Sequence, residues 1–375
     1  MNLIKKYSEE DKCMYYSNNH NDLKNIGFLS LKIALENYFY TYYSIKGELV
    51  DYYENGVVSI KNFDKIKYTD KYYECCFESI VHFQHFFELI IKDILEKENP
   101  LLAVRANQNH IIFHKLLKGE DICDSDMDNL YSIEFSEALE RITKLLSNNR
   151  IDNRFKFIKD YNNVLKALNT FRNRTWHRGM FSLKYDSFDE FVGRYILPLV
   201  IEIISLEEYL DYEYMWKYSE NYIGVDIIDE IVREWKNSAI NYTKLAFLKE
   251  LGRSAYIKKD KILKMRSNKE IENIISYMRE DEDINIIRSV LSSDSEMIIM
   301  KCPSCGNHSL IVTLNVGEHI DELCGSGGWQ MSRSYYGYED TVECINCTFE
   351  VNKYVGNLND YEINFDNFWS EYKII

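Results

Sequence analysis

The stretch FESIVHFQHFFELIIKDILEKENP, Phe77 to Pro100, decides the class of fold. Ile80, Phe83, Phe87, Ile90 and Ile94 recur at three- and four-residue spacing, the repeat of one helix face. Pro100 lacks an N–H and helps to end that helix. The helical signal returns on either side. Residues 28–46, FLSLKIALENYFYTYYSIK, read as a helix with apolar positions on most faces. Further helices are expected at about 103–117, 132–147, 155–178 and 187–210, the last kinked at Pro198. The chain holds only three prolines in 375 residues, and glycine is sparse before the C-terminal third. Long helices are favoured over a series of short strands. Joined by short connections, they predict an up-and-down bundle over roughly residues 20–212.

Beyond the bundle the character changes twice. Residues 213–295 suggest shorter helices, such as VDIIDEIVREW and NKEIENIISYMRED, with REDED (279–283) on an exposed connector. From Met297 the sequence turns β-rich and contains glycine. The expected organisation is a helical domain over 1–212, a helical connector region over 213–295, and a small β-rich C-terminal domain over 296–375. The stretch GVVSIKNF (56–63) reads as a short strand or a loop.

Hydrophobic residues make up 46% of the chain, which excludes a disordered protein. The longest apolar run, YILPLVIEIISL (195–206), contains Glu202 and is too short to span a bilayer. The N-terminus MNLIKKYSEEDK has no apolar signal core. A cytoplasmic protein without a membrane partner is expected. Its nine cysteines are then thiols or metal ligands rather than disulfides.

Four of those cysteines carry the most specific signal. Cys302 and Cys305 in KCPSCGNH form one CxxC, and Cys344 and Cys347 in ECINCTF form another. Each spacing suits a tight knuckle that presents two thiolates to one ion. Four thiolates around one ion make a closed structural Zn2+ site. Strand-like flanks (MIIMK, SLIVTLNV, FEVNKYV) complete a zinc-ribbon layout. An iron–sulfur cluster uses the same ligands, so the ion's identity stays open here. The long insert between the pairs holds Cys324, either a spare thiol or an alternative ligand. It also holds Trp329, Arg333, Tyr335 and Tyr336, on a flexible loop or on a surface that grips bases or a partner. His110 and His114, four apart, form a weak metal pair with no third ligand nearby in sequence.

The formal net charge is −15, yet positive charge is concentrated. Residues 141–178 carry ten Lys/Arg against two Asp, a local charge of +8, and residues 253–269 carry seven against one, or +6. Such runs are either solvated helix faces or the footprint of a polyanion, and acidity overall does not exclude a nucleic acid. The first run ends in FRNRTWHRG, Phe171 to Gly179. Continuing the apolar series Tyr161, Leu165, Leu168 lands on Arg172, so an arginine stands where the pattern expects a core residue. Gly179 is a natural helix stop.

Arg172, four intervening residues and His177, with the polar Asn173 after the arginine, resemble the R-x4–6-H motif of the HEPN superfamily. The resemblance covers roughly residues 70–212. It implies a helical bundle, a homodimer whose two motifs face one cleft, RNA as substrate, and metal-independent endoribonuclease activity. It also implies a toxin or anti-phage defence role, with a phage-derived or other trigger. His177 would act as general base or acid, since histidine titrates near neutrality. Arg172 would hold phosphate through paired donors, and Asn173 would orient the histidine or bond a phosphate oxygen. Arg174 and Arg178 are candidates for phosphate binding. Glu88 and Lys92, four apart on the Phe77–Pro100 helix, point toward the cleft or form a plain ion pair. His82 and His85 read as packing or surface residues. Gly179 stands where nucleotidylated relatives carry tyrosine, which argues against that route of control.

Other readings stand beside this one. Arg172 is also compatible with an ordinary salt bridge, and His177 and Arg178 with cations favoured by a helix C-terminus. The chain would then be a non-catalytic nucleic-acid- or protein-binding module, or a zinc-ribbon DNA-binding regulator.

Overall fold

The computed structural model describes residues 23–50, 63, 65–105, 109–120, 130–177, 182–257, 297–325, 328–344, 346–352, 355 and 357–364; in 297–300 and 311–341 it describes the backbone. The protein is mainly helical, with a small antiparallel sheet in the C-terminal region. Its contacts divide it into two compact units, each discontinuous in sequence. Unit 1 comprises Met1–Asn37, Cys76–Leu183 and Tyr195–Lys217; unit 2 comprises Tyr38–Cys75, Lys184–Arg194 and Tyr218–Ile375. The contiguous blocks 1–212, 213–295 and 296–375 describe a different partition, by sequence character instead of contacts.

Two long helices, α1 (Leu23–Val50) and α2 (Asp70–Glu98), contribute residues to both units. In unit 1 the face read from α2 is fully inside: Ile80, Phe83, Phe87, Ile90 and Ile94 are all buried. Burial of each such side chain contributes about 1.5–3 kcal/mol before conformational entropy is counted. Phe28 of α1 packs on Phe86, Tyr209 and Tyr212 at 5.1–5.7 Å between ring centroids. Tyr209 donates its hydroxyl to Asp93 at 2.9 Å, so the buried phenol is not left unsatisfied.

The remaining helices of unit 1 start later, or break more often, than the periodicity predicts. The expected 103–117 helix is α3 (His110–Lys118), preceded by a 3₁₀ turn at Pro100–Leu102 and by strand β1 (Val104–Arg105). Asn109 sets the start by accepting from the Ile112 N–H at 3.2 Å, and left-handed Gly119 sets the stop. Strand β2 (Tyr131–Ser132) pairs with β1, and α4 spans Phe135–Ser147. The expected 155–178 helix is two helices, α5 (Lys156–Asp160) and α6 (Asn162–His177), joined at Tyr161.

The expected 187–210 helix is also divided: α7 (Tyr185–Glu190), a π-helical turn (Phe191–Ile196), α8 (Leu197–Ile204) and a 3₁₀ helix (Glu207–Tyr212). Pro198 offers no N–H to the carbonyl four residues earlier, and the helix is widened into the π turn just before it. Glu213–Trp216 forms the short α9.

Unit 2 is built around α11 (Tyr242–Tyr256), where every residue from Lys244 to Ala255 is buried. Helix α10 (Ile227–Glu234) packs beside it. Gly252 allows the Phe39 ring to lie against the helix; a β-carbon there would sit 2.5 Å from that ring. Lys249 donates to the Asp189 carboxylate and to Thr41 Oγ1, and lies over the Tyr38 and Tyr185 rings at 4.5 and 4.4 Å. A buried charge pair of this kind is tolerable only when both members are bonded.

The sheet has strand order β3 (Met297–Lys301), β4 (His308–Gly325), β5 (Gly328–Cys344), β6 (Glu350–Val351), all antiparallel. A separate pair, β7 (Asn357–Leu358) and β8 (Ile363–Asn364), follows. The long insert is therefore a β-ribbon and not an irregular loop: β4 and β5 pair from Leu310–Cys344 out to Gly325–Gly328. The expected strand or loop at 56–63 falls outside the described residues except Phe63, and both NKEIENIISYMRED and REDED lie wholly outside them.

Candidate functional site

The four cysteines converge, as the spacing predicts. Cys302 and Cys347 sulfurs are 3.6 Å apart, Cys305 and Cys344 sulfurs 3.7 Å, and all four lie within 4.8 Å of one another. A tetrahedron with metal–sulfur bonds of about 2.3 Å has edges of about 3.8 Å. The donor set therefore fits a four-sulfur metal site and is compatible with zinc. Among the described residues it is the one such cluster; His110 and His114 are exposed and belong to none. Hydrogen bonding among the crowded sulfurs drives the Cys302 thiol well up and the Cys305 thiol well down.

Both knuckles have the same backbone design. Cys302 N–H bonds the Asn307 carbonyl at 2.9 Å, and Gly306 N–H bonds the Cys302 carbonyl at 2.9 Å. In the second knuckle Cys344 N–H bonds the Phe349 carbonyl at 2.7 Å, and Thr348 N–H bonds the Cys344 carbonyl at 2.9 Å. The equivalent fifth residues both have positive φ, 77° at Gly306 and 59° at Thr348. A β-branched residue is strained in that region, and Arg253 of α11 braces Thr348 by bonding its carbonyl and, at 3.4 Å, its hydroxyl. The first knuckle is tied to α11 through Ser304 and Ser254, whose hydroxyls are 2.8 Å apart. Cys324 lies in β4 with its backbone paired opposite Trp329, and Arg333 pairs opposite Ile320.

The second candidate site lies in unit 1, at the C-terminal end of α6. Leu165, Leu168 and Thr175 form its buried seam. Arg172 stands on that seam, half-buried, as its place in the apolar series predicts. Its Nη1 donates to Asn173 Oδ1 at 3.0 Å, and its guanidinium carbon lies 5.6 Å from the centre of the Trp176 ring. Its Nε is buried with no hydrogen-bond partner among the described residues. Asn173 thus engages the arginine.

Lys166, Thr170, Asn173, Arg174 and His177 make an exposed stripe on the far side of the helix. Five residues of α-helix turn through about 140° and rise about 7.5 Å. Arg172 and His177 therefore do not share a face of α6, and within one chain the helix does not bring them together. Arg178 and Gly179 lie outside the described residues.

Helix α2 supplies the other candidates. Lys92 donates to Glu88 Oε1 at 2.6 Å, and Gln84 donates to Glu88 Oε2 at 2.7 Å. Lys92 is buried, so this is an internal ion pair, not a surface one. His85, read from the sequence as packing or surface, is central to the cluster. Its Nδ1 lies 2.8 Å from Ser30 Oγ. Burial lowers its pKa; Glu88 opposes that shift, while His82, Lys92 and Arg172 add to it. The imidazole thus senses both the Glu88–Lys92 pair and the Arg172 guanidinium. Its sequence signal was the spacing to Glu88, one turn along the same helix. Trp176 was the other missed residue, an aromatic inside an exposed polar stretch.

The basic run is partly neutralised. Arg141 bonds Glu137, Lys144 bonds Glu140 and Arg154 bonds Glu208. Lys156, Lys159 and Lys166 are exposed and form no ion pair among the described residues. No helix among the described residues is long and apolar enough to cross a membrane. Compared with protein-family models, curated proteins and solved structures, the chain matches none of them.

Proposed function

We propose that this protein is a metal-independent endoribonuclease of the HEPN type, with a structural zinc in its ribbon. One observation carries the reading: a half-buried arginine on the core seam of α6, bonded to Asn173, lies just before an exposed histidine at the end of the same helix. A buried-seam arginine is costly unless its charge is used or paired. The exposed lysines earlier in the basic run supply attraction for a polyanion.

In the proposed reaction the RNA 2′-hydroxyl attacks the adjacent phosphorus. His177 takes the 2′ proton, the new 2′-O–P bond forms, and the bond from phosphorus to the 5′-oxygen breaks. His177 of the partner subunit returns a proton to the leaving 5′-oxygen. Arg172 stabilises the charge that develops on phosphate. The 140° between Arg172 and His177 on one helix makes a homodimer the natural way to complete the site. The products carry a 2′,3′-cyclic phosphate and a 5′-hydroxyl. Zinc, held by Cys302, Cys305, Cys344 and Cys347, supplies folding energy, and four sulfurs leave no open position for substrate. A toxin or anti-phage role is what the resemblance implies.

The same separation of Arg172 from His177 favours a second reading, a non-catalytic RNA-binding platform. Incubation of total RNA with wild type, His177→Ala and Arg172→Ala separates the two. The nuclease reading expects cyclic-phosphate ends from wild type, unaffected by brief EDTA, and a loss of about 10²–10⁴-fold in His177→Ala with RNA affinity kept. Equal cleavage by wild type and His177→Ala would sink the mechanism.

A further inference from the structure

We infer that Trp176 is a stacking platform for an unpaired base of single-stranded RNA, an inference that rests on reading the end of α6 as an RNA site. Trp176 is 55% exposed, although an indole is among the costliest side chains to leave in water. It is nonetheless held in place. The Phe77 ring stacks on it with centroids 5.7 Å apart and planes within 20°. The Arg172 guanidinium stands 5.6 Å from its centre. An exposed aromatic braced in this way loses little freedom when a ligand stacks on it, which is the condition for using aromatic surface to bind.

The surroundings select the ligand. Asn173, one helical turn before Trp176, is exposed, and the Arg172 guanidinium stands beside the ring. Exposed aromatic surface beside a guanidinium and an amide suits a nucleotide, whose base stacks while its phosphate meets the positive charge. Duplex bases are already stacked on each other, so the platform favours single strands or loops. It would thereby position the strand for Arg172 and His177, and set a preference for flexible, unpaired segments as substrate.

The test is binding of a fluorescent single-stranded oligoribonucleotide by anisotropy, in the full-length His177→Ala chain so that no cleavage intervenes. Adding Trp176→Ala is expected to weaken binding by about 5- to 150-fold, the range for loss of one stacked base. Adding Trp176→Phe instead should restore most of it, which a misfolded variant would not do. Moving one abasic nucleotide along the oligonucleotide should reveal a position at which Trp176→Ala no longer matters. Unchanged affinity on adding Trp176→Ala to His177→Ala, while the protein with His177 intact still cuts RNA, overturns the platform and leaves the nuclease reading intact. A fall in molecular mass by light scattering without change in RNA affinity makes Trp176 a protein–protein contact and also overturns it. Absence of RNA binding by every variant and by wild type overturns both readings together.

Discussion

Arg253 and Glu250 meet side by side in the interior of unit 2, with Nε to Oε2 at 2.7 Å and Nη2 to Oε1 at 2.6 Å. The pair does more than neutralise itself. Glu250 Oε1 also accepts the backbone N–H of Glu350 at 2.6 Å, and Arg253 bonds the carbonyl of Thr348, next to Cys347. The Tyr43 ring lies 4.2 Å from the guanidinium carbon. Helix α11 thus grips the second knuckle through a single ion pair.

Arg253→Met is therefore expected to cost about 3–5 kcal/mol, because it leaves Glu250 buried without its counter-charge and Thr348 without its brace. The double variant Glu250→Gln/Arg253→Met should recover part of that loss. Urea unfolding of the three proteins checks this. A cost below about 1 kcal/mol for Arg253→Met would mean that the pair is not holding the knuckle.

Metal removal should be felt in the helices as well as in the ribbon. Ser254 and Arg253 of α11 bond residues within both knuckles, and structural zinc contributes folding energy directly. Chelation after mild thiol modification is expected to release one zinc per chain and lower the thermal midpoint, with loss of helical circular dichroism. Cobalt substitution should give the visible bands of a tetrahedral four-thiolate site. Full retention of the melting curve after zinc release would refute the coupling.

Acid should weaken unit 1 through His85. Its folded pKa lies below the ordinary histidine value because the ring is partly buried, with His82, Lys92 and Arg172 adding to the effect and Glu88 opposing it. The unfolded chain therefore binds the proton more readily. The stability contribution is whole above about pH 6.5 and is lost as the pH falls toward the folded pKa. The urea midpoint of wild type should fall between pH 7.5 and 5.5 by more than that of His85→Gln. Parallel falls in both proteins would assign the acid sensitivity to other groups.

Much of the molecule follows from short-range pattern. The three- and four-residue spacing of Ile80, Phe83, Phe87, Ile90 and Ile94 determines both a helix and its buried face, because helix geometry repeats within four residues. Two CxxC pairs determine the four-sulfur cluster, because each knuckle closes its own hydrogen bonds within six residues. The same local logic places Arg172 on the core seam of α6.

What tertiary structure alone decided is where charge and aromatic surface end up. The stretch KELGRSAY (249–256) reads as polar, yet α11 is buried on every side because Lys249 finds Asp189, 60 residues away in sequence, and Arg253 finds Thr348, 95 residues away. Such a helix is stable only with those distant partners, and no local window contains them. His85 and Trp176 follow the same rule. Their roles come from Ser30, Arg172 and Phe77, which reach them from other elements or from another turn of the same helix. Periodicity tells a side chain which face of its helix to occupy; the partner waiting there is set by the packing of the whole unit.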